Sequence, residues 1–389
     1  MHLLFATSIV PDGALASGYE IANAAIIAAL RRAGARVTVI GFTWPGKPAA
    51  DPENTVVLGA IDVRTENASA LQKLAWVGKA MLSGLTFASV KLRTVSDEDV
   101  LAAIERAGPF DGYVLNSVQF AGAFEKLFAD RPSIFVAHNV EHLSARENAA
   151  AAGSLFQRLL FRREARLLKE MEQRLCRRAR FIFTLAEEDR AALDVALDDR
   201  SAVLPLVTTA KTPARKPRRI DCDAALVGTW TWQPNRTGLD WFLGKVVPHL
   251  GPDFRVRIAG HMPSSVISMH PGVEFIGRVP DAQAFVRSAA VIPLISTAGS
   301  GVQLKTIETF ELGLPSVATS RSLRGIDHRP ANCVVTDDPI AFARALEAAA
   351  ADVRDVDGGA FHRRQVEALD AAIRFGLEKL GPLRQEAFA

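Results

Sequence analysis

The chain has 389 residues, of which 49% are hydrophobic and 23% are charged. This composition excludes a disordered chain, and the length predicts two large domains. Lys and Arg number 46 against 43 Asp and Glu, a net charge of +3, yet residues 154–180 alone hold nine basic and three acidic side chains. An excess this local argues against a nucleic-acid-binding protein, whose basic excess would set the charge of a whole domain.

The cysteines and the hydrophobic runs indicate the compartment. The three cysteines lie far apart, which excludes a disulfide framework and argues against a cysteine metal cage. No run reaches the roughly 18 apolar residues of a membrane span, and the first ten residues lack the basic leader of a signal peptide. We therefore expect a cytoplasmic protein.

The first 42 residues predict the fold class. An apolar run at 3–8 leads into a Pro/Gly loop at 11–18, and a helical pattern at 19–33 precedes a second apolar run at 36–42. Strand, crossover helix and strand within about 40 residues form a βαβ unit and hence a parallel sheet. Further strands are predicted at 113–116, 133–137, 181–184 and 202–204.

A second series of strands follows a basic, proline-bearing stretch. Its strands are predicted at 224–227, 255–259, 273–276, 291–295 and 316–319. The sequence thus predicts an N-terminal domain at 1–207, a linker at 208–219, a second parallel-sheet domain at 220–365, and a C-terminal helix and tail at 366–389 that pack back across the domain junction. Because ligands of open α/β sheets bind beyond the carboxyl ends of strands, we expect the site in the cleft between the two domains.

The segment 291–315 holds the strongest chemical pattern. An apolar strand runs into a loop of small residues, and a helix is predicted from near Gly301 to Gly313. Glycine lets the backbone approach a ligand, and the unpaired N–H groups of a helix start bind anions. Lys305 comes one turn after Gly301, and Glu308 lies on the same helical face. This arrangement suits a diphosphate joined to a ribose; the alternative is a glycine-rich connector with a surface Lys–Glu pair.

The sequence motifs of other ligand-binding and catalytic sites are incomplete or missing. The segment lacks the third glycine of a dinucleotide fingerprint, and the chain has neither a Walker lysine motif nor a G-x-S-x-G elbow. The triplet 97–99, Asp-Glu-Asp, follows Ser96 and therefore predicts the capped first turn of a helix in preference to a metal site. We expect no metal and no cofactor.

Residues 299–319, GSGVQLKTIETFELGLPSVAT, resemble the donor-site signature of retaining, nucleotide-sugar-dependent glycosyltransferases of the GT-B fold (glycosyltransferase family four). Three further stretches fall in the order that this family would place them, at 138–141, 228–236 and 272–279. The resemblance implies an α/β protein with two Rossmann-like domains that face each other across a cleft.

The resemblance also implies roles for individual residues. Lys305 would bind the donor diphosphate and Glu308 the ribose hydroxyls, while His138 would face the donor sugar; His138 and Lys305 are the expected catalytic residues. The remaining expected donor-binding positions are Gly18 on the first loop, Asn235 and Arg236 after the first strand of the second domain, Arg278 near the base, and Ser300, Gly301 and Val302 on the phosphate loop.

Several of these residues have a simpler interpretation. His138 is also suited to closing a strand end, Trp230 and Trp232 to core packing, and Arg278 to a solvated turn. Many members of the family carry a second glutamate at the position of Ser300, where it contacts the transferred sugar. Its absence here leaves open which sugar is transferred and with what stereochemistry.

The basic segment 154–180 allows two interpretations. Its apolar residues recur at helical spacing, which predicts a surface helix that packs on its own domain. Alternatively its arginines lie against an anionic membrane surface, with the apolar, lysine-bearing segment 71–93 as a second contact.

The predicted function is transfer of a sugar from a nucleoside diphosphate sugar to a carbohydrate or lipid-linked carbohydrate acceptor, in polysaccharide or glycoconjugate biosynthesis. The alternatives are an epimerase of the same fold and a non-catalytic nucleotide-sugar-binding protein. An enzyme with a lipid-linked acceptor would be peripheral on the inner face of the membrane.

Overall fold

A computed structural model describes residues 1–14, 17–64, 68–214 and 217–381. The chain forms two compact units, one of residues 1–205 together with the chain from Ala368 onward, the other of residues 206–367. Each unit is a parallel β-sheet with helices, as the sequence predicts. Among the described residues no helix combines the length and the apolar character needed to cross a membrane.

The sheet of the first unit has seven parallel strands in the order β3-β2-β1-β4-β5-β6-β7. These strands are β1 (His2–Ile9), β2 (Arg36–Thr43), β3 (Thr55–Ala60), β4 (Gly112–Asn116), β5 (Ser133–Ala137), β6 (Phe181–Thr184) and β7 (Ser201–Val203). Its helices are α1 (Gly18–Arg32), α2 (Ala70–Ser83), α3 (Phe87–Leu92), α4 (Asp97–Ala107), α5 (Val118–Ala123), α6 (Glu141–Ala151), α7 (Leu155–Arg178) and α8 (Glu187–Ala192).

The sheet of the second unit has six parallel strands in the order β10-β9-β8-β11-β12-β13. They are β8 (Cys222–Thr229), β9 (Val256–His261), β10 (Val273–Gly277), β11 (Ala289–Leu294), β12 (Ser316–Ala318) and β13 (Cys333–Val335). The helices are α9 (Gln233–Trp241), α10 (Ala282–Arg287), α11 (Leu304–Glu311), α12 (Pro339–Ala351) and α13 (Gly358–Leu380).

In both sheets the strand order reverses at one place, between β1 and β4 in the first unit and between β8 and β11 in the second. All residues of β4, β5 and β6 are buried, which is why they are continuous apolar runs in the sequence. The two strands that the sequence did not predict, β3 and β13, are both at sheet edges. Edge strands pack fewer neighbours, so their hydrophobic signal is weak.

The segments near the predicted domain boundary pack within the units. Thr208, inside the predicted linker, is buried, and its N–H donates to Glu311 at 3.0 Å in the second unit. Two linker residues, 215–216, and the tail 382–389 lie outside the described residues. The second half of α13 belongs to the first unit, where the Phe375 ring packs edge-on against Phe181 at 5.4 Å.

The acidic triplet begins a capped helix, and the cysteines are not joined in disulfides. The triplet 97–99 is the first turn of α4, where the Ser96 side chain accepts from the Asp99 N–H and the Asp99 carboxylate accepts from the Ser96 N–H. The capped helix start is therefore confirmed. All three cysteines are buried free thiols.

Two buried carboxylates of α7 hold neighbouring helices. Glu172 accepts a hydrogen bond from the Glu141 N–H at 2.6 Å, and its second oxygen lies 2.6 Å from His142 Nδ1. Helix α6 has no cap from its own preceding residue, so Glu172 serves as its cap from another element. Glu164 does the same for α3, because it accepts from the Phe87 N–H at 2.9 Å.

Replacing Glu172 with alanine is expected to lower the unfolding free energy of the first unit by about 2–3 kcal/mol, because it leaves the start of α6 buried without an acceptor. Glu170→Ala on the same helix is the control. The Glu170 side chain is mostly exposed, and at 4.0 Å from Arg166 it forms at most a weak ion pair. We therefore expect Glu170→Ala to lower the unfolding free energy by about 0.5 kcal/mol or less. Urea unfolding followed by circular dichroism measures both, and equal effects of the two substitutions would contradict the capping role.

Candidate functional site

An open pocket of about 650 Å³ lies in the second unit at the strand-order reversal between β8 and β11. Three of the predicted site residues, Asn235, Lys305 and Glu308, line it. The crevice at such a reversal is where open α/β sheets bind ligands, because the flanking loops diverge there. The fold thus brings part of the predicted donor site into one pocket.

The loop between β11 and α11 corrects one prediction. Helix α11 begins at Leu304 and not near Gly301, so Lys305 is its second residue and not one turn in. Gly299 has a positive φ of 91°, and the chain stays non-helical through Gln303. Gln303, the cap position, makes no side-chain capping hydrogen bond. The first N–H groups of α11 are therefore free of a side-chain cap, which favours an anion at this point.

Lys305 lies against the end of β8. Its Nζ is 5.3 Å from the centre of the Trp230 ring, and a Cβ added to Gly228 would come within 2.9 Å of the same atom. The side chain keeps access to solvent, yet the protein around it displaces enough water to lower the pKa of Lys305 to about 8, while Glu308 opposes the shift. Lys305 is thus a partly solvated cation in the pocket, and an anionic ligand beside it would stabilise its charged form.

Glu308 lies one turn further along α11. Its carboxylate accepts a hydrogen bond from Gln283 Nε2 on α10 at 2.8 Å. Burial raises the pKa of Glu308, and the Gln283 hydrogen bond and Lys305 act against that rise. The carboxylate remains a hydrogen-bond acceptor at the pocket wall, and Gln283 is a partner that the sequence did not reveal.

The loop before α11 is held by residues that follow β12. Thr319 Oγ1 donates to the Ser296 carbonyl at 2.6 Å, and Ser322 Oγ donates to the Leu294 carbonyl at 2.7 Å. Arg321 donates from Nε and Nη2 to the Gly299 carbonyl at 3.0 and 2.8 Å. Sequence reasoning missed all three. These bonds fix a glycine-bearing loop that has no regular structure of its own.

The other predicted donor-binding residues have different surroundings. Asn235 Nδ2 donates to the Thr229 carbonyl at 3.1 Å, and Arg236 is paired with Asp240 at 2.7 Å. Arg278 follows β10 and is exposed, and neither arginine lines the pocket. Trp230 is buried core, as the alternative interpretation held, but Trp232 is 56% exposed and does not pack as predicted.

His138 occupies the corresponding place in the first unit. It follows β5, and its Nε2 lies 2.8 Å from Asn116 Oδ1 at the end of β4. Asn116 Nδ2 in turn donates to Asn23 Oδ1 at 2.7 Å, and the Tyr19 ring lies 5.0 Å from the His138 ring. Tyr19 OH is 2.7 Å from Thr7 Oγ1. A closed polar network therefore lies at the strand-order reversal of this sheet.

The network determines the protonation of His138. Because Asn116 turns its NH₂ group towards Asn23, its oxygen faces the histidine, and Nε2 must carry the proton. Burial lowers the pKa of His138 to about 4. The ring is thus neutral near pH 7, with Nδ1 as its lone-pair nitrogen.

Gly18 is the first residue of α1, after the N-cap Ser17, and not part of the preceding loop as expected. Residues 15–16 of the predicted loop lie outside the described residues. Ser17 accepts from the Glu20 N–H, and Glu20 accepts from the Ser17 N–H. This reciprocal cap begins α1 one residue earlier than the hydrophobic pattern indicates.

Residues 222–352 match the family model described as Glycosyl transferases group 1. The second unit therefore carries a glycosyltransferase group 1 domain, and residues 299–319 lie within the matched range. No curated protein matches the sequence.

Solved structures of glycosyltransferases resemble the whole chain. Sucrose-phosphate synthase from Thermosynechococcus elongatus is 16% identical with a TM-score of 0.63, and the match covers 98% of each chain. TarM is 11% identical with a TM-score of 0.63, covering 98% of this chain and 99% of its own. HepE of Anabaena in complex with UDP-glucose is 12% identical with a TM-score of 0.56, covering 97% and 98%. The architecture is the GT-B fold.

His138 is expected to titrate near pH 4 with its proton on Nε2, because burial disfavours the imidazolium and Asn116 accepts from Nε2. Its unfolded pKa is near 6.5, so its contribution to stability rises with pH between about 4 and 6.5 and is complete above that window. ¹⁵N spectra of histidine-labelled protein measure tautomer and titration, with His138→Gln as the assignment control. Titration near 6.5 would contradict the buried network.

Proposed function

We propose that the protein moves a sugar from a nucleoside diphosphate sugar to a carbohydrate or lipid-linked carbohydrate acceptor, in polysaccharide or glycoconjugate biosynthesis. The observation that carries this proposal is the pocket at the start of α11. It combines uncapped N–H groups, the cation Lys305 and the carboxylate Glu308 in a glycosyltransferase group 1 domain.

Charge stabilisation of the leaving group is the main catalytic effect in this proposal. When the bond between the anomeric carbon and the diphosphate oxygen breaks, negative charge builds up on the diphosphate. Lys305 and the first N–H groups of α11 are fixed before the reaction and stabilise that charge. Since Lys305 has a pKa of about 8, it is mostly protonated near pH 7, and a bound anion raises its pKa further. This route uses no metal ion.

Glu308 and His138 supply hydrogen bonds in the same proposal. Glu308 accepts from the ribose hydroxyls and exchanges its present partner Gln283 for them. His138 acts on the transferred sugar as a neutral group, because its buried ring does not hold a charge near pH 7. Retention of the anomeric configuration follows from the family resemblance and is part of the proposal.

Ser300 is the point at which the sequence departs from many members of the family. Its side chain is buried, so the loop has filled this position with a small hydroxyl where a carboxylate would need room and hydration. We propose that the transferred sugar is recognised without a carboxylate from this position, which distinguishes the donor specificity of this chain from that of enzymes with glutamate there.

Lys305→Ala is expected to lower sugar transfer by roughly 10²–10³-fold while the fold survives, because it removes the cation that faces the departing diphosphate. Lys245→Ala, an exposed lysine of the same unit, is the control with the same loss of charge and should leave turnover unchanged. Steady-state transfer assays and thermal unfolding measure both. Near-normal turnover of Lys305→Ala would contradict the proposed role of Lys305 in stabilising the leaving diphosphate.

Affinity for a nucleoside diphosphate is expected to fall as the pH rises through about 8, since the free protein loses the Lys305 proton that the anion requires. For a group with this pKa the loss is roughly tenfold between about pH 7 and about pH 9. Isothermal titration with UDP over this range measures it. The decline should be absent in Lys305→Ala, and equal pH dependence in the two proteins would assign the effect to another group.

One comparison separates the proposal from its alternatives. Incubation with the donor alone gives an isomerised donor if the protein is an epimerase, and slow hydrolysis at most if it is a transferase.

Thermal stabilisation by UDP, GDP, ADP and TDP identifies the nucleotide to use, because a ligand of the folded state raises stability by mass action. UDP is the first choice, since HepE binds UDP-glucose. Stabilisation without turnover on any acceptor would instead indicate a non-catalytic binding protein.

A further inference from the structure

Helix α2 and the first turn of α7 expose large apolar side chains in the first unit. Of the fourteen residues of α2 only Ala80 is buried. A helix of this length that packs on its own domain normally buries a full apolar face. Six large side chains on these two elements are at least 63% exposed: Leu71, Leu74, Leu82, Leu155, Phe156 and Leu159. We call these six residues the apolar patch.

The two parts of the apolar patch are joined by an arginine. Arg163 donates from Nη2 to the Ala80 carbonyl at 2.6 Å and from Nη1 to the Leu85 carbonyl at 3.3 Å, which caps the end of α2. Leu159 lies one turn before Arg163 on α7, and Leu82 follows Ala80 by two residues. Arg163 therefore links the end of α2 to α7 one turn after Leu159, so the exposed apolar side chains of both helices lie on connected elements of the first unit.

The chain segments that carry the apolar patch are basic. Residues 68–96 and 152–163 contain no acidic residue. Lys73 and Lys79 on α2 and Arg162 on α7 are exposed beside the apolar side chains. The second half of α7 differs, because Arg174 and Arg178 both pair with Glu125, at 3.1 and 2.8 Å. Exposed cations thus accompany the apolar patch, whereas two arginines of the second half of α7 are neutralised by Glu125.

We propose that the apolar patch docks on an anionic lipid bilayer, with α2 lying in the headgroup region and Lys73, Lys79 and Arg162 against lipid phosphates. Large apolar side chains with cations beside them are what an interfacial helix requires. A second copy of the chain fits less well as the partner. In a twofold contact the apolar patch would face the same patch of the other copy, and the cations of the two copies would lie opposite one another. The surface lies within one unit, and the proposal holds whatever reaction the protein performs.

Vesicle sedimentation with the full chain tests the proposal. The wild-type protein should pellet with phosphatidylcholine vesicles that contain phosphatidylglycerol and bind pure phosphatidylcholine much more weakly. Substituting Leu71, Leu74 and Phe156 with serine should lower partitioning at least about tenfold, because each removes an inserting side chain. A variant with Lys73→Gln, Lys79→Gln and Arg162→Gln should lose binding to the anionic vesicles by a similar factor.

The matched control removes the same charge elsewhere in the unit. Lys126→Gln, Arg177→Gln and Arg180→Gln neutralise three exposed cations outside the apolar patch and should leave binding unchanged. Circular dichroism of each variant verifies folding, and turnover on a soluble acceptor verifies the enzyme separately. Equal binding of patch and control variants, or of neutral and anionic vesicles, would overturn the proposal. So would a wild-type dimer in sedimentation velocity that the serine variant dissociates, because the patch would then be a contact between copies.

Discussion

The chemistry of the second unit depends on keeping positive charge at the start of α11 without neutralising it. Lysine near a helix start is electrostatically unfavourable, because the first N–H groups already carry partial positive charge. The protein keeps Lys305 there by placing its ammonium over the Trp230 ring and beside Gly228, where no side chain intervenes. An anion in the pocket would relieve the electrostatic cost of this arrangement.

The loop before α11 is held by its own side chains and by residues that follow β12. Within the loop, Ser296 Oγ donates to the Ala298 carbonyl at 3.4 Å and Gln303 Nε2 donates to the Gly301 carbonyl at 3.1 Å. Thr319, Arg321 and Ser322 also bind carbonyl groups of residues 294–299. Ser322 Oγ also accepts from the Ser296 N–H at 3.0 Å, so these residues hold the first part of the loop through both acceptors and a donor.

The first unit uses the same topological position for the opposite electrostatics. Its polar groups at the strand-order reversal are a buried, neutral network of hydroxyl, amide and imidazole groups, and burial keeps His138 uncharged. A sugar is recognised by directed hydrogen bonds, whereas a diphosphate is recognised by charge. The network of the first sheet therefore suits neutral polar partners, whereas the start of α11 suits an anion.

The sequence predicts most of the fold, since buried parallel strands are continuous apolar runs, and its motifs indicate Lys305, Glu308 and His138 as candidate site residues. It fails where the deciding partner is remote. The contacts of Asn116 with His138 and of Arg321 with Gly299 join separate elements, so no local pattern predicts them. The predicted start of α11, near Gly301, was wrong for a related reason. A glycine shows where a loop can form, but hydrogen bonds from residues outside the loop determine where the loop ends and the helix begins.

The basic segment shows the same limit for charge. Two of its three acidic residues, Glu164 and Glu172, are buried caps for other helices and contribute little to the surface. The exposed helix is therefore more basic than its composition indicates, although Glu125, from outside the segment, neutralises Arg174 and Arg178 in its second half. A count along the chain cannot separate these effects because it ignores burial. The start of α7 is a short cationic surface, and α2 exposes apolar side chains. This coincidence of charge and apolar exposure, more than total charge, favours a bilayer as the partner.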